Sequence, residues 1–275
     1  MELQKAQVLM PYFWNRGKKI SMRTISKILL IILIGPSMLY ANEKALIISG
    51  FDDVLRQAEN TGLVKSAVKI LEKDKTFAGM PELYSVISKQ ETAPHFYVVS
   101  AISSWFEKRI SDFLRASGYP ENHRYLRNWL TEWSIEDFKI SRIEKIVEDH
   151  PQRKFIVIFD NSEPSVQMAT ALHEKFGDKI QAIYLREVVK KETPSSAISF
   201  FTAFDIAMNE FASGRMTTEE VQAVGQAILK EPHAEQIIPS YALCPSEMRC
   251  NGVSAELASL CQDVQKHLQS VCAQH

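Results

Sequence analysis

The stretch ALIISGFDDVLR, residues 45–56, decides the fold. Its first half is a continuous apolar run, which then breaks into a turn that carries Asp52 and Asp53. Continuous apolar runs of this length are typical of strands buried on both faces of a parallel sheet, and ligands bind at the carboxyl ends of such strands. The stretch therefore predicts a buried strand that delivers two carboxylates to a binding edge. Acid pairs of this kind also occur in solvated turns and helix caps.

Strands and helices alternate downstream of this stretch. Three further apolar runs predict strands: HFYVVSA (95–101), KFIVIFD (154–160) and KIQAIYLREV (179–188). Apolar residues at helical spacing predict helices at 64–75, 81–90, 104–118, 135–150 and 165–176, and two more between 197 and 230. This order predicts an α/β domain in which helices cover both faces of a parallel sheet. Pro232 marks the predicted end of that domain, which we assign to residues 42–232.

The first 41 residues have a different composition from the rest. Basic residues precede a short apolar run at 28–34, which is followed by Gly35-Pro36 and by a small residue, Ala41. A membrane-spanning helix needs about 20 apolar residues, whereas a secretory signal peptide has this shorter layout. We predict a signal peptide at 1–41 and export to the periplasm or the exterior, with translation starting at Met1 or Met22.

Charge limits the partners of the exported chain. Removal of residues 1–41 takes away six of the 32 basic residues and one of the 33 acidic residues, which leaves a net charge of −6. A mildly acidic chain without a polybasic cluster is not expected to bind nucleic acid. We also expect no stable membrane span.

All four cysteines lie in the segment 233–275, which we treat as a C-terminal extension. An exported chain with an even number of cysteines is expected to form disulfides, and the spacing lacks the short pairs that zinc sites favour. Ser254 precedes an amphipathic run that predicts a helix. Such a helix would hold Cys261 and Cys272 about 16 Å apart along its axis, beyond disulfide reach. Both would pair back to Cys244 and Cys250, most simply as Cys250–Cys261 and Cys244–Cys272.

Polar side chains follow three of the predicted strands, and a lysine lies on a neighbouring helix. Asp52 and Asp53 follow the first strand, Ser100 the second, and Asp160 ends KFIVIFD. Lys139 lies near the start of the helix before that strand. Carboxylates, a hydroxyl and a lysine suit phosphoryl transfer, which depends on positioning and charge neutralisation. Each of these residues on its own is commonly a surface or cap residue.

Seven segments in order resemble the actin-patch phosphatidate phosphatase family, relatives of the lipins in the haloacid dehalogenase superfamily. They are IISGFDDVLR for the Asp-x-Asp-Asp-Thr motif, FAGMPELYSVI for Gly-Met-x-x-Leu-Tyr, YVVSAISSWFEKRISDFL for the serine motif, YPENHRYLRNW, the lysine helix FKISRIEKIVEDH, KFIVIFDNSE for the Gly-Asp-Ser-Gly strand end, and KIQAIYLREV. The resemblance covers about residues 45–230 and implies a Rossmann-like fold. It also implies a phosphorylated lipid or another phosphoester as the substrate.

The resemblance implies a role for each matching position. Position 50 corresponds to the aspartate nucleophile, which forms an aspartyl-phosphate that water hydrolyses. Asp52 corresponds to the general acid, and its backbone carbonyl to a magnesium ligand. Ser100 and Lys139 correspond to phosphate-binding residues, and Asp160 to a magnesium ligand.

This chain departs from the family pattern at the position that matters most. Gly50 has no side chain, so neither the covalent intermediate nor that metal bond can form there. Val54 replaces the threonine, Asn161 and Ser162 replace the Ser-Gly, and Ser165 replaces a further acid. Magnesium binding is therefore expected to be weak or absent.

Three hypotheses about function follow from these departures. The first is a phosphatase-like domain impaired in catalysis, and the second is an active magnesium-dependent phosphatase in which Asp52 or Asp53 substitutes for the nucleophile. The third is a binding module for a phosphate or a lipid. Trp105, Trp129 and Trp133 are predicted to be packing residues rather than a ligand cage.

Overall fold

The computed structural model describes residues 44–58, 75–88, 94, 96–246, 250 and 254–274. The predicted signal peptide at 1–41 lies outside the described residues, as does all but the last residue of the predicted helix at 64–75. Within the described residues, no helix is both long enough and apolar enough to cross a bilayer.

Six strands of the described chain form one parallel sheet in the order β3-β2-β1-β4-β5-β6. Their bounds are Leu46–Ser49 (β1), Phe96–Ser103 (β2), Asn122–Arg127 (β3), Phe155–Asp160 (β4), Ile180–Arg186 (β5) and Ile198–Phe200 (β6). The strand β1 lies in the middle, with Ile47 opposite Phe96 of β2 and Ile156 of β4. The continuous apolar stretch that opens the sequence is thus paired on both sides.

Helices cover both faces of the sheet, as the alternation predicts. Their bounds are Met80–Ile87 (α1), Glu107–Ala116 (α2), Ile135–Asp149 (α3), Glu163–Phe176 (α4), Ala203–Ala212 (α5), Thr218–Lys230 (α6), Ala234–Ile237 (α7) and Ala255–Cys272 (α8). Leu46 and Ile48 of β1 pack with α3 and α4 in one apolar cluster, whereas Ile47 packs in the other, with α1, α2, α5, α6 and α8. The predicted α/β fold with a Rossmann-like parallel sheet is therefore confirmed.

Two strands were not predicted from the sequence. The strand β3 lies at one lateral edge of the sheet, and most of its residues are partly exposed. The strand β6 forms the opposite edge and has three residues.

The backbone conformation and the packing around Gly79 explain why the segment FAGMPELYSVI has a glycine at this position. Gly79 precedes α1 with a φ of 77°, a conformation that strains other residues. A Cβ atom there would lie 3.2 Å from the carbonyl oxygen of Val224 and 3.1 Å from Ile228. The start of α1 therefore lies so close to α6 that a side chain at position 79 would crowd Val224 and Ile228.

We predict that Gly79→Ala lowers the free energy of unfolding by more than the left-handed backbone strain alone, which costs about 1–2 kcal/mol. Gly214→Ala is the matched control, because Gly214 has a φ of 70° and nothing within 4 Å of an added Cβ. Urea unfolding of both variants should show an additional loss of roughly 1 kcal/mol or more at Gly79. Equal losses in the two variants would mean that the close contact with α6 adds nothing to the cost of Gly79→Ala.

The C-terminal extension packs against α6 through apolar side chains, and two disulfides cross-link the extension internally. Leu257, Val264 and Leu268 of α8 are buried in the same cluster as Val224 of α6. The disulfides join Cys244 to Cys272 and Cys250 to Cys261, which confirms the simpler predicted pairing. The division between residues 42–232 and 233–275 stays a prediction about domain organisation.

Candidate active site

The carboxyl ends of the central strands bring the predicted site residues to one edge of the sheet. Gly50 follows β1, Ser100 lies in β2, and Asp160 ends β4. The strands β2 and β4 flank β1 on either side and run parallel to it. The backbone amide of Gly50 also donates a hydrogen bond of 2.9 Å to the carbonyl of Ile158 in β4. This edge of the sheet is called the carboxyl edge below.

An aromatic ring fills the space beside Gly50. A Cβ atom built on Gly50 would lie 3.0 Å from Cδ1 of Phe159 and 3.2 Å from Cγ2 of Val54. Both neighbours are fully buried, so neither can turn out into solvent without opening the core. Phe159 precedes Asp160 and so corresponds to the first glycine of the Gly-Asp-Ser-Gly strand end. An aspartate side chain at position 50 would therefore have to displace Phe159 or Val54 by a few tenths of an ångström.

Asp52 is held in an ion pair within its own turn. The Nε and Nη2 atoms of Arg56 donate hydrogen bonds of 3.0 and 2.5 Å to Oδ1 of Asp52. Arg56 itself is buried, with a guanidinium stacked 5.3 Å from the ring centroid of Phe51. This ion pair holds the Asp52 carboxylate against its own turn.

The side chain of Asp53 stabilises the turn after β1. It is buried and has a φ of 55°, in the left-handed region that few residues other than glycine adopt. Its Oδ1 accepts hydrogen bonds of 2.9 Å from the amide of Ala58 and 2.6 Å from the hydroxyl of Tyr241. Tyr241 belongs to the C-terminal extension, so this extension helps to fix the turn after β1.

Lys139 lies against the ring that fills the space beside Gly50. Its Nζ atom is 5.4 Å from the ring centroid of Phe159, within the range of a cation–π contact. Ser100 is buried on β2, where its Oγ accepts a hydrogen bond of 3.2 Å from the amide of Ile102. The structure thus brings Lys139, Phe159 and Gly50 together and positions Ser100 on the neighbouring strand.

The end of β4 is stabilised by side chains that the sequence did not single out for this purpose. The side-chain amide of Asn161 donates hydrogen bonds to a carboxylate oxygen of Glu187 (2.8 Å) and to the carbonyl of Val189 (2.7 Å). Its Oδ1 accepts hydrogen bonds from the amides of Val188 and Val189. Burial raises the pKa of Glu187. Asn161 therefore ties the end of β4 to the loop after β5.

The donor groups at the carboxyl edge do not fit a magnesium ion held by several carboxylates. Asp160 offers one carboxylate. Its Oδ1 already accepts a hydrogen bond of 2.8 Å from the backbone amide of Ser162. Gly50 offers none, and the Ser165 hydroxyl is buried without a hydrogen-bond partner. No three His, Cys, Asp or Glu side chains cluster as a metal site in the described part of the chain. Magnesium prefers carboxylate and other oxygen ligands in octahedral geometry, and among these three positions Asp160 alone offers a carboxylate.

Two groups near the carboxyl edge were missed by the sequence reasoning. Arg186 ends β5 and is fully buried between the rings of Phe77 and Phe200, at 3.8 and 4.7 Å from their centroids. Burial lowers the pKa of Arg186 to about 10. The sequence feature that could have pointed to Arg186 is its charge near the end of the apolar run KIQAIYLREV.

The second missed group is a hydroxyl pair beneath Gly50. The Oγ of Ser49 lies 2.7 Å from the hydroxyl of Tyr84 and donates a hydrogen bond of 2.6 Å to the Gly50 carbonyl. Tyr84 is the tyrosine of the Gly-Met-x-x-Leu-Tyr segment, and burial raises its pKa. This residue therefore supports the backbone at the nucleophile position from within the core.

The prediction that the tryptophans pack inside the fold is wrong for at least two of them. Trp105 is 76% exposed and Trp133 is 84% exposed. Trp129 is 38% exposed, and its indole nitrogen donates a hydrogen bond of 3.0 Å to the carbonyl of Ala101. Trp105 follows β2, Trp129 follows β3, and Trp133 precedes α3, so all three lie in segments at the carboxyl edge.

Comparison with known proteins supports the family resemblance. A family model described as phosphatidate phosphatase APP1, catalytic domain, matches residues 45–187. The match begins one residue before β1 and ends one residue after β5, and so includes every predicted catalytic, phosphate-binding and metal-binding position. No curated protein and no solved structure matches the chain. The chain belongs to the phosphatidate phosphatase APP1 catalytic-domain family.

Proposed function

We propose that this chain is an exported phosphatidate-phosphatase-like domain that binds a phosphorylated lipid but is impaired in hydrolysis. The observation that carries the proposal is the pair of residues at the carboxyl edge, where Gly50 supplies no carboxylate and the Phe159 ring fills the adjacent space. Covalent phosphoryl transfer needs a nucleophile within bonding reach of the phosphorus atom. A glycine cannot supply that nucleophile.

Neither neighbouring acid is a good substitute for the nucleophile. The carboxylate of Asp52 is engaged by Arg56, and that of Asp53 by Ala58 and Tyr241. Moving either one to a substrate would break buried hydrogen bonds, which costs about 1–3 kcal/mol for each group left without a partner. Magnesium binding through Asp160 is proposed to be weak or absent, as its donor set implies.

Recognition of a phosphorylated head group is proposed to depend on Ser100 and Lys139. The family to which the chain belongs suggests a phosphorylated lipid as the ligand, and a free phosphoester has the same phosphate chemistry. A hydroxyl and an ammonium group are suitable donors to phosphate oxygens. The ammonium group of Lys139 lies against the aromatic face of Phe159, so it can turn toward an anion at small cost.

Export is proposed from the composition of residues 1–41, which has the layout of a signal peptide. Two disulfides support this proposal, because disulfides persist in oxidising compartments such as the periplasm or the exterior.

An assay of phosphate release from phosphatidate tests the impairment. We expect the purified wild-type chain to release no phosphate above the uncatalysed rate, with or without magnesium. The second candidate function, an active phosphatase, is favoured by the retention of Asp52, Ser100, Lys139 and Asp160 in the family pattern. Magnesium-dependent release that Asp160→Ala abolishes would establish that candidate and refute the impairment.

Binding of a soluble short-chain phosphatidate tests recognition separately. We expect Lys139→Ala to weaken binding about tenfold, because hydrogen bonds to charged groups contribute about 1.5–3 kcal/mol. Lys145→Ala is the matched control on the same helix, since Lys145 is exposed and pairs with Asp149. Calorimetry should give unchanged affinity for the control, and equal affinities for both variants would argue against Lys139 as a ligand.

A further inference from the structure

Large apolar side chains are exposed mainly at one place on the molecule. Five of the six exposed large apolar residues in the described part of the chain lie between residues 105 and 135. They are Trp105, Trp129, Leu130, Trp133 and Ile135. We call this group the tryptophan surface. Scattered exposed apolar residues are common on soluble proteins, whereas a cluster of this kind marks an interaction site.

The members of the tryptophan surface are brought together by the sheet. Ser103 of β2 pairs with Arg127 of β3, so the segments that follow these two strands leave the sheet side by side. The Trp129 indole then bonds to Ala101 of β2 across the strands. Trp133 immediately precedes α3 and Ile135 begins it. Because α3 carries Lys139, the tryptophan surface lies next to this candidate phosphate-binding residue.

The backbone beneath the tryptophan surface is ordered by its own hydrogen bonds. The amide of Asn128 donates to a Glu132 carboxylate oxygen at 2.7 Å, and the Asn128 side chain accepts the amide of Leu130 at 3.0 Å. Glu132 also forms an ion pair with Arg142 of α3. The fold therefore holds Leu130, 68% exposed, at the tip of a closed loop instead of burying it.

Two cations beside the tryptophan surface complement an anionic phosphate. Arg127 lies 5.7 Å from the ring of Trp129, and its Nε atom is buried without a hydrogen-bond partner. Lys139 lies one to two turns into α3. Arg127 as a residue is partly exposed, and its terminal guanidinium nitrogens are suitable donors to phosphate oxygens. Glu136 and Asp137 lie between these cations in sequence, so the surface is not strongly basic as a whole.

From these features we infer that the tryptophan surface docks on the interfacial zone of a phospholipid bilayer, with Arg127 and Lys139 directed to lipid phosphate groups. Tryptophan favours this zone because one end of its ring system is apolar and the other carries a polar N–H group. The inference deepens the proposed function and rests on it only for the lipid class. Docking here would deliver a head group to the carboxyl edge without extracting the lipid from the membrane.

Vesicle co-sedimentation of the full chain tests this inference. We expect wild-type protein to bind phosphatidylcholine vesicles, to bind more tightly when phosphatidate is added, and to show only a weak dependence on salt. Trp105→Ser with Trp133→Ser should weaken binding about tenfold or more, since burial of a large apolar side chain contributes that much. Both tryptophans are exposed, so the melting temperature should not change.

Ile198→Ser is the matched control, because Ile198 is the sixth exposed apolar residue and lies on β6 at the opposite edge of the sheet. It should leave binding unchanged. The variants differ from the wild type only at the named positions, so every other contribution to binding is common to all of them. Equal binding by the tryptophan variant and wild type would overturn the inference.

A second outcome would also overturn the inference. If the tryptophan variant converts a dimer to a monomer in analytical ultracentrifugation while vesicle binding is unchanged, the surface binds a second copy of the chain. Phosphate release from phosphatidate by the wild type would instead refute the proposed impairment and leave membrane docking untouched.

Discussion

Gly50→Asp is expected to lower the free energy of unfolding by roughly 1–3 kcal/mol and to give no phosphatase activity. The added Cβ would lie 3.0 Å from the Phe159 ring and 3.2 Å from Val54, so the carboxylate has to displace buried side chains. We therefore expect that an aspartate at position 50 is not sufficient for activity unless the ring is also removed.

Phe159→Ala supplies the missing space and completes a double-mutant cycle. Alone, this substitution should cost about 3–5 kcal/mol, because it leaves a cavity in the core. In the double variant, the aspartate side chain occupies part of that cavity, so the combined loss should be smaller than the sum by roughly 1–3 kcal/mol. Urea unfolding of the four proteins measures this coupling energy.

Phosphatase activity gives the second measurement on the same four proteins. We expect magnesium-dependent phosphate release only in the double variant, where a carboxylate at position 50 joins Asp160 beside Lys139. Additive stability effects would show that the Phe159 ring does not compete with a side chain at position 50. Activity in the single Gly50→Asp variant would lead to the same conclusion.

The loss of the Cys244–Cys272 disulfide is expected to lower the free energy of unfolding by about 3–4 kcal/mol. This disulfide closes a sequence separation of 28 residues, whereas Cys250–Cys261 closes one of 11. Because loop-closure entropy grows with the logarithm of loop length, removing the shorter link should cost about 0.8 kcal/mol less. Paired Cys→Ser variants, unfolded in urea, measure both effects.

The two disulfides should also differ in their effect on the turn after β1. Cys244 lies three residues after Tyr241, whose hydroxyl bonds to Asp53. Hydrogen exchange at Ala58, whose amide also bonds to Asp53, should accelerate more when Cys244–Cys272 is lost than when Cys250–Cys261 is lost. Equal exchange rates in both variants would mean that the longer link does not hold this turn.

The sequence was sufficient to predict the strands that consist of continuous runs of apolar residues. The strands β1, β2, β4 and β5 are buried on both faces, and their runs of apolar residues indicate this directly. The segment NHRYLR of β3 has no such run because it forms an edge of the sheet. With three residues, β6 is too short for any periodicity to be recognised.

The candidate site was predictable as a set of residues but not as an arrangement. Family motifs led to Gly50, Ser100, Lys139 and Asp160, and the parallel sheet explains why they share an edge. The contact between Gly50 and Phe159 joins residues far apart in sequence, and no local pattern reports such a contact. The exposure of Trp105 and Trp133 could not be predicted from the sequence either, because large apolar side chains are usually buried.

The hydrogen bond between Asp53 and Tyr241 has a consequence for the order in which the protein matures. It joins residues separated by 188 positions, so it cannot form until Tyr241 has been synthesised. Contacts of such long range are made late, after their loop-closure entropy has been offset by other contacts. The turn beside Gly50 leaves the ribosome well before Tyr241, yet it reaches its final form only after Tyr241 has arrived.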